Sequence, residues 1–301
     1  PDIVHTHAAK AGALGRRAAY KMGVNQIYHT FHGHVFHSYF GNFKTRIFKE
    51  IEKNLAKKST KIIAISEIQK SELSKIHKIC PEKKIEVIPL GFDLERFNTD
   101  KDSKRKEFRK KWNLKENEIA IGIIGRLVPI KNHKFFIDAI QEVLKNSKVP
   151  IRAFIVGDGE EKQNIINYIK NKNLDFSLNY NPATFHLTSW IKEIDRVNSG
   201  MDIICLTSLN EGTPVSLIEA QASGKPIVST KTGGIENIVL ENKTALLSEK
   251  NDLHNFSKNL LSLVNDSNKR KLFSKFGLEK SKDFQYNQLV NNIKNLYENM
   301  L

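Results

Sequence analysis

The stretch SLNEGTPVSLIEAQASGKPIVSTKTGG, residues 208–234, changes character twice. A polar loop ends at Thr213-Pro214, an apolar run with helical spacing continues to Gly224, and Pro226 opens a short β-branched run. Proline suits the first turn of a helix because its missing N–H has no partner there, and a threonine before it is a favoured cap. The spacing therefore predicts a helix capped by Thr213, with Pro214 as its first residue, stopped at Gly224 and followed by a strand. Upstream, 202–206 (DIICL) reads as a buried strand. The whole segment is then one strand–helix–strand crossover, the repeating unit of a parallel sheet.

The same alternation runs outward in both directions. Strands are expected at 3–5, 26–31, 61–65 and 85–89, with helices near 10–22, 43–58 and 67–79. Residues 91–114 then turn polar and highly charged, with no strand period, and mark a boundary. A second series has strands near 119–124, 152–156, 184–187, 202–206, 226–229 and 244–247, and closes on helices around 251–264, 267–277 and 285–299. The expected fold class is α/β, with two Rossmann-like doubly wound domains at 1–114 and 115–284 and a last helix, 285–301, packing back towards the first. The first series opens directly on a strand and offers four strands where such a domain has about six, so its N-terminal part is expected to be missing. Paired domains of this kind take ligands in a cleft outside the carboxyl ends of their strands.

A chain of 301 residues, 40% hydrophobic, is long enough to bury two cores. It shows neither a signal peptide nor an apolar run of about eighteen residues, which points to the cytoplasm. Cys80 and Cys205 lack metal or redox spacing and read as reduced structural residues. The net charge of +15 is uneven: residues 1–117 carry 25 Lys/Arg against 13 Asp/Glu, the remainder 23 against 20. Such a basic first part suits anionic lipid surfaces or nucleic acid, but charge alone favours the plainer reading of runs such as SKRKEFRKKW (103–112) as solvated helix faces.

Two places carry chemistry. Around the predicted helix at 214, Glu211 and Glu219 present carboxylates, acceptor-only groups that each take two hydroxyl donors, as a ribose or a sugar ring offers. The first-turn amides of that helix suit a phosphate, and Gly233-Gly234 permits a close backbone approach to the ligand. Taken singly, either glutamate reads as an ordinary surface acid. The other place is HTFHGHVFH, residues 29–37, with four histidines. If 27–31 is a strand, His29 faces away from His32, and no cysteine lies nearby, so the spacing does not suit zinc.

Glu211-Gly-Thr-Pro-Val-Ser-Leu-Ile-Glu219 resembles the E-x7-E signature of retaining glycosyltransferases of family 4, which have the GT-B architecture of two Rossmann-like domains. GRLVPIKNH (125–133) resembles the G-R-L…K segment of that family, and IVGDGE (155–160), IIAISE (62–67) and IPLGFDLERF (88–97) are weaker echoes, the last with Leu90 where asparagine is usual. The resemblance runs through the whole chain but lacks the opening strand and glycine-rich loop. It implies that Glu211 contacts the donor sugar, Glu219 the ribose, and Arg126 and Lys131 the diphosphate. Gly125, Gly212, Thr213, Pro214 and Val215 line the nucleotide, and Trp190 of TSW (188–190) either stacks on the base or belongs to the core. By the same resemblance His32, in T-F-H-G, approaches the reacting sugar as a hydrogen-bond donor; His34 and His37 read as loop or acceptor-side residues, and His29 as buried on the strand. His5 and His7 belong to the same floor or pack structurally.

The implied reaction is metal-independent, cofactor-free hexosyl transfer with retention, from a nucleotide-diphosphate sugar to a glycan or polyprenyl-linked acceptor in polysaccharide or surface glycan synthesis. Fixed cations would stabilise the leaving diphosphate. Partners expected are the donor, that acceptor and an anionic membrane surface, at the cytoplasmic face, with no nucleic acid. Alternatives are a non-hydrolysing nucleotide-sugar epimerase and a basic membrane- or nucleic-acid-binding protein; the latter lacks an RNA-recognition, zinc-finger or helix-turn-helix signature.

Overall fold

The structure, a computed structural model, describes residues 1–32 and 42–298. His34 and His37 lie outside the described residues. The chain divides into two units: Pro1–Gly91 with Tyr286–Leu301, and Phe92–Gln285.

In the first unit, β1 (Ile3–His7), β2 (Gln26–Phe31), β3 (Lys61–Ala64) and β4 (Ile85–Val87) form a parallel sheet in sequence order. β2 is buried along its whole length, as a parallel strand covered on both faces must be. The helix Ala9–Lys21 follows β1, and the helix Asn42–Lys57 lies between β2 and β3. Their packing encloses a fully buried Arg16, whose Nη2 donates to Glu52 at 2.8 Å while its Nε donates to the Gly12 carbonyl at 3.0 Å. An unpaired charge there would carry a large desolvation cost. The last helix, Tyr286–Glu298, sets Leu289, Ile293 and Leu296 at helical spacing against Tyr28, Ile63 and Ile88.

The second unit holds a seven-stranded parallel sheet. Its strands are β5 (Ile119–Ile124), β6 (Ile151–Val156), β7 (Phe176–Ser177), β8 (Phe185–Ser189), β9 (Ile203–Leu206), β10 (Ile227–Thr230) and β11 (Ala245–Ser248), in the order β11-β10-β9-β5-β6-β8-β7. The alternation of a pleated strand divides its side chains between two cores. Ile119, Ile121 and Ile123 of β5, with Ile151, Ala153 and Ile155 of β6, face one core; Ala120 and Ile124, with Phe154 and Val156, face the other. Strands are added on one side of β5 and then, from β9 onward, on the other. The order therefore reverses between β5 and β9, and the loops leaving their carboxyl ends diverge there to open a crevice.

Three expectations need correction. The boundary is at Gly91/Phe92, not at 114, because the charged stretch contains a helix, Lys101–Lys111, that belongs to the second unit. Arg105 and Arg109 of SKRKEFRKKW are not a solvated face: they bond Asp202 at 2.7 and 3.3 Å, and the same carboxylate accepts from the Ala120 amide at 2.8 Å. Phe108 and Trp112 pack on Phe154, with ring centroids 5.6 and 5.5 Å away. The charge pattern hid two aromatic anchors. Finally, the sheet has seven strands rather than six, since the two-residue edge strand β7 is too short to leave a periodic signal. The two points where the chain passes between units are tied together by Phe92 N–H donating to the Phe284 carbonyl at 2.8 Å.

Replacing Asp202 removes the carboxylate partner of two arginines and of a backbone amide at once. Asp202→Ala is expected to lower unfolding free energy by about 2–4 kcal/mol, read as a shift of the urea midpoint at unchanged slope. A shift below about 0.5 kcal/mol would mean that the charged helix is held by its other contacts, among them Phe108, Trp112 and the Lys104–Asp195 pair.

Candidate functional site

All strands of the second unit run the same way, so the loops after β5, β6, β8, β9 and β10 emerge at one edge of the sheet. After β5 the chain passes Gly125 and Arg126, makes a single 3-10 turn at Pro129–Lys131 and turns through Asn132 in the left-handed region (φ 50°) into the helix His133–Asn146. After β9 it runs through Thr207–Pro214 into the helix Val215–Ala222. These two loops are neighbours because β5 and β9 are neighbours. Lys131 Nζ donates to Glu211 Oε1 at 2.5 Å, and Ser208 Oγ donates to the same oxygen, also at 2.5 Å. Both side chains are largely buried, at 20% and 11% exposure for Lys131 and Glu211, where less screening strengthens the pair.

Backbone contacts lock both loops. The Thr207 hydroxyl donates to the carbonyls of Lys131 and Asn132, Leu209 N–H donates to the Ile130 carbonyl, and Thr230 and Thr232 donate to the carbonyls of Ser208 and Leu209. Gly233, at φ +55°, lies so near the Glu211 carbonyl that an added Cβ would stand 1.8 Å from it, and one on Gly234 would stand 2.1 Å from the Gly212 carbonyl. The close approach expected of Gly233-Gly234 is thus to the backbone of the Glu211 loop. Gly157, in IVGDGE, plays the same part on the other side, where a Cβ would meet the Gly125 carbonyl at 1.9 Å. Leu127 N–H donates to the Asp158 carbonyl.

A Cβ on Gly125 would make only ordinary contact with Lys131, 3.6 Å from its Cε. Arg126 is exposed, and among the described residues no carboxylate pairs with its guanidinium. Gly212 is exposed and open on its Cβ side. The helix after it begins one residue later than expected: Pro214 is the N-cap, at φ −72° and ψ 98°, and Thr213 does not cap. With no side-chain cap, the amides of the first turn at Val215 and Ser216 keep their donors for a ligand. Val215 is exposed at its start. Glu219 stands within this helix, and its carboxylate has no hydrogen-bond partner among the described residues; burial raises its pKa to about 7, with Asp195 adding to the shift and Arg96 opposing it. Glu211 and Glu219 therefore occupy different environments, one tied to a lysine and one unpaired.

Trp190 follows β8 and is 64% exposed, so it is not core. It comes after Ser189, whose Oγ donates to Asp158 and, with Lys162 and the Gly159 amide, holds that carboxyl down at a pKa of about 2. Sequence reasoning missed the hydroxyls Thr207, Ser208, Thr230 and Thr232. Their one signal was a Ser or Thr at or just past the carboxyl ends of β9 and β10.

His32 stands in the first unit, exposed, at the end of β2. His29 is 1% exposed and accepts or donates at Nδ1 with Thr6 Oγ1 at 2.9 Å; burial, with Arg16 adding, lowers its pKa to about 3. Among the described residues no three His, Cys, Asp or Glu side chains are placed to share a metal ion. Burial pushes the Cys80 thiol up to about 11 and the Cys205 thiol higher, as unreactive structural thiols behave.

The family model for glycosyl transferases group 1 matches residues 104–280, and that for Glycosyltransferase Family 4 matches residues 1–96. Over 303 aligned residues the chain is 34% identical to the Escherichia coli UDP-Gal:alpha-D-GlcNAc-diphosphoundecaprenol alpha-1,3-galactosyltransferase, covering 100% of this chain and 76% of that protein. An uncharacterised glycosyltransferase of Methanocaldococcus jannaschii is 27% identical over 99% of this chain and 76% of its own length. Among solved structures, Anabaena HepE in complex with UDP superimposes with a TM-score of 0.82 at 20% identity, over 99% of this chain and 79% of that one. These matches give no support to an epimerase or to a nucleic-acid-binding protein.

Glu219 supplies a pH signature. Its folded pKa is raised, so protonation favours the folded state; that contribution is complete below pH about 4.5 and is lost as pH rises through about 7. Glu219→Gln removes this dependence. The stability of the wild type relative to the variant is expected to fall between pH 4.5 and 7.5, seen as diverging urea midpoints, and parallel midpoints across that window would show that the carboxyl is solvated.

Proposed function

The chain belongs to the group 1 glycosyltransferases, and from that membership we propose that it moves a sugar from a UDP-sugar to a hydroxyl of a lipid-diphosphate-linked sugar, with retention of configuration and without a metal ion. The observation that carries this reading is the Lys131–Glu211 pair, set where the strand order reverses beside the open first turn at Val215. The E. coli relative supplies the substrate class, being named for UDP-Gal and a diphosphoundecaprenol acceptor.

In this reading the diphosphate lies against Arg126, Lys131 and the amides of the first turn. The bond between the anomeric carbon and the diphosphate oxygen breaks, the acceptor hydroxyl attacks from the same face, and the departing oxygen takes its proton. Charge accumulates on that oxygen in the transition state, and fixed cations aimed at it lower the barrier. Such cations supply the stabilisation that a divalent ion supplies elsewhere. Glu211 orients Lys131 through one oxygen and offers the other to the donor sugar, while Glu219 accepts from the ribose hydroxyls. Exposed Trp190 stacks on the base, Gly125 and Gly212 let the ligand approach the backbone, and Thr213, Pro214 and Val215 shape the loop. We assign to His32 a hydrogen bond to the reacting sugar.

The acceptor implies a membrane. Among the described residues no helix is long and apolar enough to cross one. The helix Ala9–Lys21 instead exposes Lys10, Leu14, Arg17 and Lys21 at helical spacing. Between it and the helix Asn42–Lys57 lies an open cavity of about 440 Å³ lined by Arg17, Arg46, Ile47, Glu50, Ile51 and Lys58. Residues 9–58 carry ten Lys/Arg against two Glu. Cations around exposed leucine and isoleucine fit an anionic lipid surface, each adding about 1 kcal/mol of attraction. We propose peripheral attachment at the cytoplasmic face through this surface.

With UDP-galactose and a GlcNAc-diphospholipid, Lys131→Ala and Glu211→Gln are expected to lower kcat/KM by about a hundredfold or more, undiminished by EDTA in the wild type. NMR of the product should show the anomeric configuration of the donor. Inversion, or variants within a few-fold of wild type, would overturn the mechanism. Separately, Arg17→Glu with Arg46→Glu should abolish flotation with vesicles containing anionic lipid while leaving turnover of a soluble acceptor unchanged; equal flotation on neutral vesicles would remove the electrostatic account.

A further inference from the structure

A feature of the first unit remains outside the mechanism just described. His7, the last residue of β1, places its Nδ1 2.9 Å from Nε2 of His32, with the two rings stacked at 5.1 Å and 28°. His7 also stacks on His5, at 4.5 Å and 23°. His5 in turn is fixed at both nitrogens, by the Tyr297 hydroxyl at 2.6 Å and by Thr30 Oγ1 at 2.8 Å. Three imidazoles thus form a column anchored at one end and exposed at the other. The column follows from parallel register: His5 pairs with Tyr28 and His7 with Thr30, so side chains at the carboxyl ends of β1 and β2 line up.

From this geometry we propose that His7 is a positioning residue for His32: its Nδ1–H donates to Nε2 of His32, fixing that ring as the Nδ1–H tautomer with its donor turned outward. The proposal rests on the role given to His32 above. Two nitrogens 2.9 Å apart hold one proton between them, whereas two imidazolium rings would oppose N–H to N–H. Burial, followed by the charges of neighbouring His7 and His32, lowers the pKa of His5 to about 4, and burial with His7 lowers that of His32, so both of these rings favour the neutral form. The chain leaves His7 through Ala8 at φ 59° and ψ 158°, a conformation reserved almost entirely for glycine. Strain of that kind is retained where surrounding contacts over-determine it, as they do here on His7.

The test combines a wild-type spectrum with two variants. Long-range ¹H–¹⁵N spectra of the free protein should show His32 as the Nδ1–H tautomer, with coupling across the hydrogen bond to His7 Nδ1; the Nε2–H form, or rapid exchange between the two, overturns the proposal. Turnover of UDP-galactose should drop about ten- to a hundredfold in kcat for His7→Phe, which keeps the stacked ring but has no proton to donate, with KM for the donor within about twofold. His7→Asn, whose amide nitrogen occupies the Nδ1 position, should restore kcat to within about threefold of wild type. A wild-type kcat for His7→Phe alongside an impaired His32→Ala overturns the pairing alone. A wild-type kcat for His32→Ala overturns the role of His32 itself.

Discussion

The constraint on which the rest depends is that two loops leaving adjacent parallel strands must nest backbone against backbone. β5 and β9 lie side by side, and the sheet grows outward from them in opposite directions. Their loops have space to hold a ligand only if something fixes them, because an unsupported loop would sample many conformations at an entropic cost on every binding event. Gly233 and Gly157 provide that support by bringing a neighbouring backbone within reach of the Glu211 and Gly125 carbonyls, closer than any side chain would allow. The threonine hydroxyls at the ends of β9 and β10 supply the hydrogen bonds. Lys131 and Glu211 meet because their backbones have already been brought together; the ion pair is a consequence of the loop packing and adds to it.

What could be read from the residues follows the same division. Parallel strands buried on both faces are near-continuous apolar runs, and every predicted strand coincides with an observed one because no other element of comparable length looks like that. The boundary falls at the near end of the stretch 91–114, at Gly91/Phe92, and not at its far end. In KDSKRKEFRKK the charges dominate the pattern, yet the two arginines reach a carboxylate some ninety positions away, and no local period records a partner so distant. The shift of the helix start from Pro214 to Val215 has a local cause: Pro214 adopts ψ 98°, outside the helical region, as the residue that closes the Glu211 loop. Glycine pairs were recognised as sites of close approach, but composition does not say whether a ligand or a neighbouring loop comes near.

The histidines show the limit most clearly. Within 29–37 the spacing separates His29 from His32, and the structure agrees, burying one and exposing the other. The partner that matters to His32 is His7, on a different strand. Its identity depends on the register of β1 against β2, in which a slip of one residue would send His7 to the opposite face of the sheet. Tyr297 is more remote still, brought to His5 by a last helix that returns to the first unit after the whole of the second has been made.

Glu211 and Glu219 occupy unlike environments, and the difference suits the proposed nucleotide-sugar site. Glu211 sits against an ammonium and a hydroxyl, which commits one of its oxygens. Glu219 is desolvated without a partner, so its charge is costly near neutral pH until hydroxyl donors arrive to share it. A ligand that brings two adjacent hydroxyls relieves that cost on binding, whereas one that brings an anion increases it. On the proposed reading the diphosphate goes to the cations at the end of β5 and the diol to the carboxylate inside the helix. On that proposal the placement of charge alone sets the polarity of the donor, before any contact with its base or sugar is considered.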